Sequence, residues 1–105
     1  MWKVDKSNIE GYGLIAYTNV SKGFDLGISH YGIGMVNGKV VGGDITELGV
    51  FQNHSDIPNC INKIVGGNIH MVTIKDIKAG EEFTIDYRKN KDISINIEYE
   101  VKWLD

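Results

Sequence analysis

Polar side chains able to bind or catalyse are concentrated in segment 48–60, directly behind an apolar run. The segment contains Asn53, His54 and Asp56 together with Pro58, the chain's only proline. This density predicts a site, although a polar turn in which Asn53 and Asp56 bond their own backbone also explains it. A lone histidine is more often structural than catalytic. No cysteine or carboxylate cluster accompanies it at metal-ligand spacing, so we expect no metal ion.

Two glycines earlier in the chain could bring the backbone close to a ligand. Gly11 and Gly13 flank Tyr12 just before an apolar run. A residue without a side chain lets a ligand approach the backbone amide and carbonyl groups. The segment lacks the third glycine and the following helix of a dinucleotide-binding loop. A simple turn entering a strand is the alternative interpretation.

The segment 72–87 has two apolar runs around a charged turn at 78–80 and ends in Tyr87. That order predicts a hairpin of two strands. Glu81 and Glu82 are neighbours on the second strand, so their side chains point to opposite faces and cannot share a proton. We expect them to form a solvated edge, not a catalytic carboxylate pair.

Short strands are predicted to position these segments, which makes the fold class mainly β. The chain has 13 glycines, and helix signals are scarce. Asn37-Gly38 between two apolar pairs predicts one tight hairpin. Gly66-Gly67 between two β-branched runs predicts another. Strict alternation of apolar and polar residues over 93–101 predicts a strand with one buried face.

Length and charge narrow the possible functions. With 105 residues, we expect a single domain over 1–105. A net charge of -3 and a single arginine, Arg88, argue against direct nucleic-acid binding and favour a basic partner. Cys60 has no second cysteine for a disulfide or a thiolate zinc site. Because we find neither a membrane span nor a signal peptide, we expect a soluble intracellular protein, cytoplasmic or nuclear.

Taken together, the three segments resemble the SET domain of protein lysine methyltransferases. The resemblance covers residues 3–88, with the motifs in the family's order. It implies a SET-domain fold of several small β-sheets with a pseudo-knot near the active site, where the segment containing the Asn-His-Ser triplet and the C-terminal segment thread together. The matching motifs are the glycine segment 11–16 followed by 20–23, the NHSxxPN signature at 53–59, and the AGEExxxxY signature at 79–87.

The resemblance implies S-adenosylmethionine as the cofactor, with S-adenosylhomocysteine as its product and with no metal. By similarity, Gly11, Tyr12 and Gly13 should contact the cofactor through their backbone. Asn53 and His54 should contact its amino-acid and adenine parts. These residues form the predicted cofactor site.

Three aromatic residues complete the site that the resemblance implies. Tyr87 matches the catalytic tyrosine, whose hydroxyl orients the amine or the methyl group and does not act as a strong base. Tyr31 is the candidate for an aromatic wall around the substrate lysine, and burial in the core is an equal alternative. Trp103 could stack on the adenine, or could instead cap the apolar face of the last strand.

The implied activity is transfer of a methyl group to a lysine of a basic, histone-like protein. The stretch 32–47 is shorter than the peptide-binding insert of most members, and the chain is similar to the small stand-alone viral SET proteins, which are homodimers. We therefore expect a homodimer, with the tail 89–105 packed on the body or on the partner. The alternatives are a non-catalytic module that binds cofactor or peptide, and a methyltransferase with a non-histone substrate.

Overall fold

The computed structural model of the chain describes residues 1–36 and 39–88. Within these residues the secondary structure is almost entirely strand, as predicted. The elements are β1 (Trp2–Lys6), β2 (Tyr12–Ala16), β3 (Asp25–Val36), β4 (Lys39–Ile45), α1 (Glu47–Val50), β5 (Asn53–His54), β6 (Cys60–Val65), β7 (Asn68–Thr73) and β8 (Glu82–Ile85).

The strands form two small sheets of four strands each. The first sheet has the order β1-β2-β8-β5, and the second has the order β4-β3-β7-β6. In the part of the chain that the structure describes, no helix is long enough to cross a membrane, since α1 has only four residues. The polar segment around His54 enters the first sheet through β5, so that sheet positions the candidate site.

Both hairpins predicted from Asn37-Gly38 and Gly66-Gly67 are present in the second sheet. β3 and β4 are antiparallel with Val36 opposite Lys39, while the turn residues 37 and 38 lie outside the described residues. β6 and β7 are antiparallel with Val65 opposite Asn68. Gly66 has a φ of 61°, a conformation that glycine adopts without the strain of a side chain.

The hairpin predicted from segment 72–87 is wrong, because β7 and β8 lie in different sheets. The intervening residues 74–81 turn towards the N-terminal part of the chain instead. Val20 and Ile77 donate a backbone N–H to each other's carbonyl, both at 2.8 Å. β8 consequently lies between β2 and β5, antiparallel to the former and parallel to the latter. A charged turn predicts a reversal of the chain but not the strand that will pair next.

The larger of two hydrophobic clusters joins the two sheets. Leu14 and Phe83 from the first sheet and Met71 from the second are fully buried in it. Burial raises the pKa of the Cys60 thiol, at the start of β6, to about 12 because the thiolate would lose its hydration. The buried members are Leu14, Ala16, Val20, Leu26, Leu48, Cys60, Met71, Ile77, Phe83 and Ile85.

A capped helical turn leads the chain from the second sheet into β5. The Thr46 side chain accepts a hydrogen bond from the Gly49 N–H at 3.3 Å and donates to the Ile28 carbonyl at 2.7 Å. A Cβ on Gly49 would collide with the Ser29 carbonyl, so the turn packs closely on β3. The predicted strand over 93–101, the C-terminal part of the pseudo-knot and Trp103 lie outside the described residues.

Candidate functional site

The parallel pairing of β5 with β8 brings two of the sequence motifs together. Asn53 lies opposite Thr84, and His54 lies opposite Ile85. The Ser55 N–H donates to the Ile85 carbonyl at 2.8 Å and extends the pairing by one residue. The chain leaves β8 beside His54, which places Tyr87 against the polar segment.

The Asn53 side chain ties the N-terminal loop to β8. Its amide nitrogen lies within hydrogen-bond distance of Ser7 Oγ, the Glu10 carbonyl, the Tyr12 carbonyl and Glu82 Oε2, at 3.1, 3.2, 3.1 and 2.8 Å. All four can accept, so the amide is oriented with its nitrogen towards them. Among the residues that the structure describes, none donates to Asn53 Oδ1.

Glu82 holds this loop in place, which the sequence reasoning missed. Its carboxylate accepts from Ser7 Oγ at 2.6 Å and from Asn53 Nδ2 at 2.8 Å. The Ser7 hydroxyl in turn accepts the Ile9 N–H at 2.9 Å. The expectation of a solvated edge is therefore wrong for Glu82, which is partly buried on an interior strand, whereas Glu81 is exposed. No local sequence signal marks this role of Glu82, because Ser7 lies 75 residues earlier in the chain.

The three residues of the glycine segment have different surroundings. A Cβ on Gly13 would collide with the Glu82 carboxylate and lie 2.9 Å from Asn53 Nδ2, so the chain's own side chains fill that space. A Cβ on Gly11 would have no atom within 4 Å, and its φ is 49°. Tyr12 is 56% exposed. A side chain would therefore have room at Gly11 but not at Gly13.

Tyr87 is held against the polar segment at three points. Its hydroxyl donates to the Gln52 carbonyl at 2.6 Å. Its backbone N–H donates to His54 Nδ1 at 3.1 Å, and the two rings pack with centroids 5.2 Å apart. The phenol oxygen is thereby held against Gln52, the residue that precedes Asn53.

The contact with Tyr87 fixes the tautomer of the His54 ring. Because Nδ1 accepts the Tyr87 N–H, the ring carries its proton on Nε2, which lies 2.9 Å from Asp56 Oδ1. Arg88 Nη2 lies 3.1 Å from the same Asp56 oxygen and 2.8 Å from Asp86 Oδ2. These contacts join the polar segment to residues 86–88 on both sides of Tyr87.

Asp86 is a buried carboxylate, 5% exposed, that is neutralised by Arg88. The guanidinium bonds it from Nε at 2.9 Å and from Nη2 at 2.8 Å. These hydrogen bonds lower the pKa of Asp86 to about 2 and raise that of Arg88. The pair links the side chains on either side of Tyr87.

Tyr31 lies in a different sheet from the residues of this arrangement. Tyr31 is in the second sheet opposite Asp44 and is 46% exposed, which excludes the alternative that it lies in the core. Among the described residues, no hydrogen bond, ion pair or ring contact joins Tyr31 to Tyr87 or His54. Over 1–36 and 39–88, no group of three His, Cys, Asp or Glu side chains is arranged to hold a metal ion.

The arrangement corresponds to a known family of domains. The model of the SET domain matches residues 18–88. The chain belongs to the SET-domain family. The matched part of this SET domain includes Asn53, His54 and Tyr87, while Gly11 and Gly13 precede it.

Comparison with individual proteins agrees with this assignment. The SET domain described here is 34% identical over 59 residues to a SET and MYND domain-containing protein of Dictyostelium discoideum. That match spans 56% of this chain and 15% of the relative, which is a much longer protein. A crystal structure of a Plasmodium falciparum protein, described as a candidate histone methyltransferase, superposes with a TM-score of 0.59 at 22% identity. The superposition covers 82% of this chain and 91% of that one, and shows that the two share a fold.

Proposed function

We propose that this SET domain is an S-adenosylmethionine-dependent protein-lysine N-methyltransferase. The observation that carries the proposal is the 2.6 Å hydrogen bond from the Tyr87 hydroxyl to the Gln52 carbonyl. That bond holds the proposed catalytic phenol next to Asn53 and His54, the residues proposed to bind the cofactor. Methyl transfer to an amine needs alignment of the reacting groups more than a covalent nucleophile.

The residues present fit S-adenosylmethionine. The amino-acid part of that molecule carries an ammonium group, and Asn53 Oδ1 is an acceptor that no described residue uses. Gly11 has open space where other residues have a Cβ, so its backbone can be approached closely. When bound, the cofactor supplies a methyl group on a sulfonium. Tyr12, Gly13 and His54 are proposed to complete its contacts.

Tyr87 is proposed to orient the substrate amine. A lysine with the reference pKa of 10.4 must lose its proton before it attacks, which costs about 4 kcal/mol at pH near 7.4. A poorly hydrated site lowers that cost, because it disfavours the ammonium form. With its own proton directed to the Gln52 carbonyl, the Tyr87 oxygen acts as an acceptor towards the lysine nitrogen.

The proposed substrate is a lysine of a basic, histone-like protein. A net charge of -3 favours a basic partner. Beside Tyr87, the Asp56 side chain is 76% exposed and can meet a cationic neighbour of the target lysine. The Plasmodium falciparum protein that shares the fold is itself described as a candidate histone methyltransferase. A non-histone protein substrate is the alternative that a substrate screen would identify.

Calorimetric titration with S-adenosylmethionine, combined with radiolabelled methyl transfer to mixed basic proteins, tests the proposal. Wild-type protein is expected to bind the cofactor and to label a protein on lysine. Tyr87→Phe should keep cofactor affinity, because it removes only a hydroxyl, and should lower turnover strongly while leaving a measurable residual rate. Tyr17→Phe is the matched control, since Tyr17 is 55% exposed and outside the proposed site. Binding without transfer to any protein would favour a non-catalytic module, and no binding would overturn the cofactor assignment.

The remaining proposals concern the tail and Tyr31. We propose that the SET domain forms a homodimer and that residues 93–101 contribute to it. A single monomeric species over a wide concentration range in sedimentation would contradict this.

Trp103→Leu is expected to weaken cofactor binding in the same titration. Tyr31→Ala is expected to raise the KM for the protein substrate, whereas an unchanged KM would remove Tyr31 from the site.

A further inference from the structure

Gln52 and Asn62 form a buried amide pair directly beneath the candidate site. Gln52 Nε2 donates to Asn62 Oδ1, and Asn62 Nδ2 donates to Gln52 Oε1, both at 2.8 Å. Gln52 is 6% exposed and Asn62 is fully buried. Buried amides of this kind are destabilising unless their groups are paired, so the reciprocal pair holds both side chains in one arrangement.

The backbone carbonyl of Gln52 is also the acceptor of the Tyr87 hydroxyl, at 2.6 Å. The pairing of β5 with β8 begins at Asn53, one residue after that carbonyl. The paired side chain of Gln52 therefore restrains the backbone just before the residue where β5 begins to pair with β8. Asn62 lies on β6, in the second sheet, opposite Met71. A short chain of contacts thus runs from the second sheet through Gln52 to the Tyr87 hydroxyl.

We infer that Gln52 and Asn62 are positioning residues for Tyr87. The inference rests on the proposed methyltransferase function. The amide pair fixes the Gln52 carbonyl, and the carbonyl fixes the direction of the phenol O–H. Misplacing a reacting or orienting group by about 1 Å can lower a rate about 100-fold. At 2.6 Å this bond is at the short end of the range for hydroxyl donors, so a displaced carbonyl would lengthen it or bend it.

Asn62→Leu tests the inference with the least change at the site, because Asn62 lies on β6 and not on the segments proposed to bind the cofactor. The expected result is a fall in kcat of about 10-fold or more, with a cofactor Kd changed by less than about 2-fold. In a Tyr87→Phe background the same substitution should produce no further fall, because the group being positioned is already gone. An equal fall in both backgrounds would reduce the pair to a structural role.

Thr73→Val is the matched control for loss of a buried hydrogen bond. Thr73 is 1% exposed and donates to the Ser21 carbonyl at 2.7 Å, on β7. It should lower stability and leave kcat within about 2-fold of the wild type. If Asn62→Leu does not fold, the double variant Gln52→Leu with Asn62→Leu replaces both partners by apolar groups, which is far better tolerated in a core. It is expected to show the same loss of kcat and the same dependence on Tyr87.

A second measurement does not depend on turnover. Exchange of the Tyr87 hydroxyl proton with solvent can be followed by NMR on protein labelled with carbon-13 at the tyrosine Cζ. The bond to Gln52 should slow exchange in the wild type, and Asn62→Leu should accelerate it by about 10-fold or more. Unchanged exchange would overturn the inference. Accelerated exchange in a protein that transfers no methyl group would support the positioning and refute the proposed function.

Discussion

His54 Nδ1 accepts the backbone N–H of Tyr87 at 3.1 Å, while the two rings pack with their centroids 5.2 Å apart. The histidine therefore acts on the tyrosine through its backbone and its ring together. On the other side, His54 Nε2 lies 2.9 Å from Asp56 Oδ1. This arrangement requires the neutral ring, so His54 has a structural function in addition to any contact with the cofactor.

Replacing His54 with phenylalanine separates its hydrogen bond to the Tyr87 backbone from its ring contact with Tyr87. His54→Phe keeps an aromatic ring against Tyr87 but leaves the Tyr87 N–H without that acceptor. The expected loss of unfolding free energy is about 1–3 kcal/mol, with a fall in methyl transfer, measured by urea denaturation and by the radiolabel assay. His70→Phe is the control, because it removes a histidine bonded at 2.8 Å to Asp25, a partly exposed carboxylate. Similar losses of activity in the two variants would contradict the role of His54.

The two glycines of the N-terminal segment should respond differently to alanine. In Gly13→Ala the new Cβ would collide with the Glu82 carboxylate, and Asn53 would have to move as well. We expect a loss of about 1–3 kcal/mol in stability together with weaker cofactor binding. In Gly11→Ala the Cβ meets open space, and the left-handed φ of 49° costs about 1 kcal/mol.

Thermal unfolding and calorimetric titration of both variants check this prediction. If the cofactor lies beside Gly11, Gly11→Ala should weaken binding more than its small loss of stability explains. A Gly13→Ala protein as stable as the wild type would show that Glu82 and Asn53 can repack without difficulty.

The Asp86–Arg88 pair predicts a contribution to stability in acid. Hydrogen bonds from Arg88 lower the pKa of Asp86 from 3.8 to about 2 in the folded protein. The unfolded chain therefore binds a proton at higher pH than the folded one does. The stabilisation is complete above pH 3.8 and is lost as the pH falls towards 2.

Arg88→Met should remove this contribution. The difference in unfolding free energy between variant and wild type is expected to be constant near neutral pH and to shrink as the pH falls below 3.8. Urea denaturation at a series of pH values gives this difference directly. Lys3→Met is the control, because the 3.5 Å pair of Lys3 with Asp5 is about half exposed on both sides and contributes little. A difference that grows in acid would contradict the assignment.

Cys60 should be inert in the folded protein. Its thiol is fully buried, and burial raises its pKa from 9.0 to about 12. Because only the thiolate attacks a disulfide reagent, we expect negligible reaction with an aromatic disulfide at pH 8 and rapid reaction in denaturant. The raised pKa also means that stability is lost between pH 9 and 12, as the unfolded thiol ionises first. Rapid modification of the native protein would show that β6 opens easily.

Much of the second sheet could be predicted from local sequence signals. Gly66 sits between two β-branched runs, and the structure has a hairpin there. The pairing of β8 could not be predicted in this way. Alternation of polar and apolar residues predicts one buried face, yet residues 83–85 are all buried. The partners of β8 depend on where the preceding loop travels. That loop is held by Val20 and Ile77, residues that are 57 positions apart.

In the candidate site, too, the local sequence predicts some residue roles, whereas others depend on contacts between distant parts of the chain. Asn53, His54 and Tyr87 could be recognised because their types and order match a family signature. Glu82 could not, because its role comes from Ser7, which lies 75 residues earlier in the chain. The sequence alone does not distinguish the roles of the adjacent Glu81 and Glu82. Only the pairing of β8 with β2 decides which of them meets the N-terminal loop.

Glu82→Gln should therefore disrupt cofactor binding although it changes the shape of the side chain very little. The carboxylate accepts from Ser7 Oγ on one oxygen and from Asn53 Nδ2 on the other. Glutamine keeps only one of those acceptors, so its NH₂ group must face a donor on one side. We expect weaker binding of S-adenosylmethionine by about 10-fold and a loss of about 1–3 kcal/mol in stability.

Glu81→Gln is the matched control, because Glu81 is the exposed neighbour. Calorimetric titration of both variants should place the whole effect at position 82. Combining Glu82→Gln with Ser7→Ala removes the Ser7 hydroxyl donor, so the glutamine oxygen can turn towards Asn53. Partial recovery of cofactor affinity in that double variant is the expected result. If the double variant binds no better than Glu82→Gln alone, the carboxylate does not act by orienting the Asn53 amide.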